Sequence, residues 1–206
     1  MGFVLYKLEI TLENCHEDVR RTIIVPHDVR LDALHVIIQK VMGWRNIHSH
    51  YFCAKKIIYA KSNTGDMNFR YERPYTLCQI VNARSKSFTY CYDIGEEWVH
   101  KVKVLDFACE NSSGRRLFSC IDGTGSCPPE DVGGEIEYKC FCVSINDPES
   151  ADYERNRKWV FEDCLYPKSM IWPDSFDLEN ANKLLGEYDS WYKKLVRQRK
   201  KHESQW

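Results

Sequence analysis

Residues 4–12 alternate, with Val4, Tyr6, Leu8, Ile10 and Leu12 on one side and Lys7, Glu9 and Thr11 on the other, the period of a half-buried strand. Residues 21–25 supply a second strand, stopped at Pro26, whose ring removes a backbone donor. From Leu31 the period lengthens. Leu31, Leu34, His35, Ile38, Val41 and Met42 fall at helical spacing, and Gly43 follows as a left-handed stop. Residues 50–59 read as a third strand, followed by a connection over 62–68 that contains Gly, Asn and Asp. Two more strands, 88–92 and 97–105, are joined through Asp93-Ile94-Gly95-Glu96, a hairpin turn by its Asp and Gly. Trp98, His100, Val102 and Val104 alternate on one face of the latter strand and predict a buried row.

The second half is less regular. Residues 109–134 are turn-rich, and 135–145 suit either a strand or a short helix; in a strand, Cys140 and Cys142 share a face with Tyr138 as small core residues. Asn146-Asp147-Pro148-Glu149 reads as a helix-entry turn, and 177–194 as a last amphipathic helix with Leu178, Ala181, Leu184, Leu185, Tyr188 and Trp191 on its apolar stripe. Strands, one helix, more strands and then helices give an α+β class: a single domain over 1–192 with a β-grasp-like ββα start, a mixed or antiparallel sheet and C-terminal helices, then a basic tail over 193–206.

Composition narrows the partners. A chain of 206 residues, 43% hydrophobic, can bury one sizeable core. Its 29 Lys and Arg nearly balance 30 Asp and Glu, so no global field attracts nucleic acid or an anionic membrane. The exception is local: Lys193, Lys194, Arg197, Arg199, Lys200 and Lys201 fall within nine residues. A solvated helix end explains them, and a weak, non-specific nucleic-acid contact is the alternative. No apolar run approaches a membrane span of about 18 residues, and the first six residues lack the basic start of a signal peptide. The expected compartment is the cytoplasm, where ten scattered cysteines without a CxxC pair remain reduced.

Candidate chemistry concentrates in a few places. His48 and His50 stand at i, i+2, which on a strand puts both imidazoles on one face as ligands for a divalent metal, with His35, His100, Asp93 or Glu130 as a third. The bland alternative packs His50 and His100 beside Phe52 and Trp98. Cys120 and Cys127 are separated by a Gly-containing loop that can bring the thiols together. In the compact run Cys127-Pro128-Pro129-Glu130-Asp131-Val132-Gly133-Gly134, two prolines fix φ and two glycines permit positive φ. Glu130 and Asp131 there suit a cation site or an acid–base pair, unless Asp131 merely holds the Gly133-Gly134 turn. Cys127 becomes a nucleophile only beside a histidine.

The motifs Leu34-His35, Ile38-Gln39, Met42-Gly43-Trp44, His48-Ser49-His50 and Tyr90-Cys91-Tyr92-Asp93-Ile94-Gly95, with Trp98, His100, Cys120, Gly123 and the run from Cys127 to Gly134, occur in order over roughly residues 5–180. This combination resembles the plasmid pRi ORF-3-like family. The resemblance implies no established activity, only a label as an insertion-element passenger or resolvase-like protein. It also puts Val132 where many members carry a cysteine, which weakens an all-cysteine zinc site. Serine resolvase chemistry needs a nucleophilic Ser among arginines near the N-terminus, and residues 3–12 contain neither. The expected function is a cytoplasmic binding or interaction module, linked by the family label to mobile genetic elements. The alternative is a metal-dependent or Cys/His hydrolase-like enzyme gathering His48, His50, Asp93, His100, Cys127, Glu130 and Asp131. Convergence of those side chains favours the enzyme; dispersal into separate hydrogen bonds favours the module.

Overall fold

A computed structural model describes residues 4–13, 15–63, 65–109 and 116–203, with side chains of the last helix described to residue 194. Arg197, Arg199, Lys200 and Lys201 therefore lie outside the described side chains. The chain runs β1 (Leu5–Leu12), β2 (Arg20–Pro26), α1 (Leu31–Met42), β3 (His50–Ala54), β4 (Ile57–Ala60), β5 (Phe69–Tyr71), α2 (Leu77–Ile80), β6 (Ser87–Tyr92), β7 (Trp98–Cys109), β8 (Ser119–Thr124), α3 (Gly134–Asn146), α4 (Tyr153–Lys158) with a π-helical turn Trp159–Asp163, and α5 (Leu178–Glu203). The strands form one sheet in the order β5-β4-β3-β6-β7-β1-β2-β8, antiparallel except for the parallel β4–β5 pair. The fold is α+β with a ββα opening.

Helix α1 starts where the period changes and ends at Gly43, whose φ of 93° lets its N–H return to Gln39 O. It is buried on most sides, Ala33, Ile37 and Gln39 as well as the predicted stripe, and α5 packs on both α1 and β8. In β7, Trp98, His100, Val102 and Val104 are all at most 2% exposed, so period-2 alternation reads the core face there. In β1 it slips: register shifts between Leu5 and Leu8 against β7 bury Leu5 and leave Val4 exposed.

One expectation is corrected, and the structure decides what the sequence left open elsewhere. Residues 50–59 are not one strand but a hairpin, β3–β4, turning at Lys55-Lys56 with φ of 53° and 65°; two lysines in left-handed conformations carry no sequence signal for such a turn. Residues 134–146 choose helix over strand, which turns Cys140 out to solvent and Cys142 into the core. The turn-rich segment contains β8, whose Gly123 leaves room for Phe176: a Cβ there would stand 2.4 Å from its ring. Helix α5 also runs past residue 194 to Glu203, as good helix formers allow. Among the described residues, no helix is long and apolar enough to cross a membrane.

Candidate functional site

His48 belongs to the connection between α1 and β3, a short segment held by polar contacts to three other elements. Gln39 Oε1 accepts from Asn46 N at 2.8 Å, Glu130 Oε1 accepts from Arg45 N at 2.5 Å, and Tyr92 Oη accepts from Ile47 N and His48 N at 3.0 and 3.3 Å. Tyr92, at the end of β6, in turn donates to the Glu130 carboxylate. Glu130 N donates to Tyr166 Oη at 3.2 Å. The Pro128-Pro129 turn is thus fixed at both its backbone and its carboxylate.

The outcome is a convergence. His48 Nε2 lies 2.9 Å from Asp131 Oδ1, 3.6 Å from Asp93 Oδ2 and 3.8 Å from Glu130 Oε2. The Glu130 and Asp93 residues are 3% and 8% exposed, whereas Asp131 faces solvent. Burial raises the Glu130 pKa, against the hydrogen bonds from Arg45 N and Tyr92, the nearby His48 imidazole lowers it, and the neighbouring Asp131 raises it further. Asp93 and Asp131 beside the imidazole, and Asn46 in the same connection as His48, hold φ between 55° and 61°. Asn and Asp enter that left-handed region more readily than other non-glycine residues, because their short polar side chains bond locally. Gly133 and Gly134, at φ of 98° and 86°, then launch α3; a Cβ on Gly134 would stand 2.9 Å from Glu96 Oε2. Asp131 thus faces His48 rather than the Gly133-Gly134 turn.

The other candidates lie elsewhere. His50 begins β3, and its Nε2 meets Glu72 Oε2 at 2.8 Å in a buried pair. Its ring stacks on His35 with centroids 3.5 Å apart and planes 2° from parallel. The i, i+2 argument fails because His48 precedes the strand, so no pleat aligns the two rings. His100 is fully buried in β7, with Nδ1 3.3 Å from Tyr90 O and Nε2 without a partner. Burial pushes the Cys127 thiol well up and the Cys120 thiol up to about 11, with Arg21 as a smaller opposing influence on both. A thiol so shifted stays protonated and is a poor nucleophile. The structure therefore brings together His48, Asp93, Glu130 and Asp131, and separates from them His50, His100, Cys120 and Cys127. Among the described residues, no group of three or more His, Cys, Asp and Glu has the arrangement of a metal-ligand set, and nine cysteines are free thiols.

Sequence reasoning missed Arg45, Tyr92 and Tyr166 as parts of this site. Tyr92 sits in the conspicuous Tyr90–Gly95 motif but reads as core, and it is both: its ring packs 5.1 Å from that of Trp44 while its hydroxyl reaches Glu130. Nothing in the sequence marks Tyr166.

The fold and the motifs have counterparts in known proteins. The crystal structure of MM3350 from Methanosarcina mazei Go1, a protein of unknown function, superposes with a TM-score of 0.75 over 87% of this chain and 98% of that one, at 23% identity, a likeness of fold. The uncharacterised protein y4hQ of Sinorhizobium fredii is 33% identical over 156 residues, 74% of this chain and 79% of the relative. A family model, plasmid pRiA4b ORF-3-like protein, matches residues 4–181, which include every residue of the His48 cluster, and the chain belongs to that family.

Proposed function

We propose that the protein is a cytoplasmic binding module that recognises a cationic group at His48, Asp93, Glu130 and Asp131. The reading is carried by one observation: three carboxylates, two of them buried, face a single imidazole, and among the described residues no Lys or Arg side chain pairs with any of the three. Even with His48 protonated, such a cluster holds more negative than positive charge whenever its carboxylates are ionised. In a partly desolvated site that excess is worth more to a bound cation than it would be in water. The left-handed residues and the Tyr92 and Arg45 contacts hold the acceptors in place before a ligand arrives, which lowers the entropy lost on binding. Free thiols suit a reducing compartment.

A hydrolase-like enzyme at the same residues is the second reading, favoured by the raised pKa of Glu130 next to His48. A carboxylic acid that keeps its proton nearer neutrality, beside an imidazole, is an acid–base pair. His50, His100 and Cys127 drop out of that reading.

The test is the His48 ring signal in a histidine-selective NMR titration with arginine methyl ester, and separately with magnesium, calcium and zinc chlorides. Binding at the cluster moves the His48 signal, leaves those of His35 and His100 in place, and weakens by about tenfold in Asp131→Asn, the loss of one charge-assisted contact. If no cation moves that signal, the cluster is structural.

A further inference from the structure

Next to the His48 cluster, and sharing Arg45 and Tyr166 with its surroundings, a cleft of about 930 Å³ opens between the end of α1, residues 126–128 and the segment 165–184. That volume falls within the 300–1,000 Å³ of small-molecule sites. Its wall includes Met42, Leu165, Met170 and Phe176, and three cations line it: Arg21, Lys40 and Arg45.

None of these cations is ion-paired with a carboxylate among the described residues. Arg21 is 2% exposed, and its guanidinium donates only to main-chain carbonyls, of Val41, Arg20, Thr124 and Gly125, beneath the Phe176 ring. The floor of the cleft therefore carries a buried positive charge with no anion against it. Arg45, exposed, is held over the Tyr166 ring with its Cζ 4.7 Å from the centroid, a placement that steadies the guanidinium plane for an incoming acceptor.

The wall is preformed. Ser126 Oγ lies 3.0 and 2.8 Å from Ile171 O and Ser175 O and shares its one proton between them, and Trp172 Nε1 donates to Cys127 O at 3.1 Å. At the rim Leu165 is 77% exposed in a left-handed conformation, φ 57°. A leucine gains nothing in the free protein from being held out in that way.

We propose that this cleft binds a small organic monoanion: an apolar body against Met42, Leu165 and Met170, with its carboxylate against Arg45 and Lys40. Asp174 and Asp177 also line the cleft and repel ligands of higher negative charge, which selects one carboxylate over a polyphosphate or a nucleic-acid backbone. The cleft borders the cation cluster, because the Arg45 main chain and the Tyr166 hydroxyl bond to Glu130 while their side chains line the cleft, but His48, Asp93, Glu130 and Asp131 do not line it.

Methionine methyl NMR tests it with phenylbutyrate, against phenylbutanol and phenylbutylamine as controls of similar shape. Phenylbutyrate should shift the Met42 and Met170 methyls saturably and leave Met67, which is 97% exposed and does not line the cleft, unmoved. The alcohol should bind about tenfold more weakly and the amine more weakly still, and Arg45→Gln and Lys40→Gln should each weaken phenylbutyrate by up to about tenfold, the effect of one charge-assisted contact. Both substitutions spare the buried Arg21, and thermal melts confirm folding; His48→Asn should leave phenylbutyrate binding unchanged. Equal affinity for acid, alcohol and amine, no shift of Met42 or Met170 at millimolar ligand, or indifference to both substitutions would overturn the proposal.

Discussion

Acidification from pH 7.5 to 5.0 should cost the fold roughly 4 kcal/mol through two histidines buried without charge. His35 is 5% exposed, with Tyr90 Oη and Asn46 Oδ1 at 2.8 and 2.7 Å from its two ring nitrogens. Burial, and then the neighbouring His50 charge, pushes its pKa down to about 3. Lys61 contributes in the same direction and Asn46 against it, while Gln39 and Glu72 complete the polar surroundings through Tyr90 and His50. His100 is fully buried with one ring nitrogen unpartnered, and burial takes it down to about 4. Both folded values lie below the 6.5 of a free imidazole. Between the folded and unfolded pKa the unfolded chain binds more protons, so stability rises with pH. It is present in full above pH 6.5 and is lost progressively towards pH 3 for His35 and pH 4 for His100. At pH 5 each site lies about 1.5 units below the free value, or about 2 kcal/mol at 1.36 kcal/mol per unit. Glu130, its pKa raised in the fold, works in the opposite sense and offsets part of the loss. Urea unfolding at both pH values, for the wild type and for His35→Gln and His100→Gln, isolates each contribution. Each variant should shrink the pH-dependent loss by about 2 kcal/mol. If both variants lose as much stability as the wild type between the two pH values, buried neutral histidines are not the cause.

Trp98→Ala should cost about 3–5 kcal/mol by chemical denaturation, since Trp98 is 2% exposed and packs on Trp44 and edge-on against Tyr138; a loss below about 1 kcal/mol would mean that the ring lines a site instead. Arg21→Met should destabilise by roughly 3 kcal/mol or more, read the same way, because four main-chain carbonyls lose a donor at once; a near-neutral change would show that the carbonyls are readily hydrated. Duplex DNA binding through residues 193–201 should be weak, indifferent to sequence and salt-dependent, log affinity falling by about 0.9 per neutralised phosphate per decade of salt. Anisotropy titrations should lose it on truncation after Tyr192, and sequence-selective binding that survives truncation would refute the assignment to the tail.

What the sequence discloses depends on whether one physical signal dominates a segment. In residues 31–43 the apolar period, the glycine stop and helix propensity agree, and α1 has those bounds. Residues 55–56 form a turn from two lysines, because pairing Tyr51 with Ala60 and Cys53 with Ile58 outweighs local preference. Helix α3 was ambiguous because Ile136 and Val143 point to solvent, 73% and 65% exposed, and blur its apolar face.

The candidate site was half legible for a related reason. Residue type alone picks out carboxylates and imidazoles but not which of them meet. His50 and His100 belong to strands, where alternation turns them into the core; there burial either holds the ring neutral or demands a partner such as Glu72. His48, Asp93, Glu130 and Asp131 lie outside or at the ends of strands, where no periodicity dictates direction. Their meeting depends on Tyr92, whose hydroxyl accepts the His48 main-chain N–H and donates to Glu130 from across the sheet. Such a relay joins residues 48, 92 and 130, and only the strand order that sets β3 beside β6 makes it available. The site is therefore a product of topology, and its chemistry should follow Tyr92 as closely as it follows the charged residues themselves.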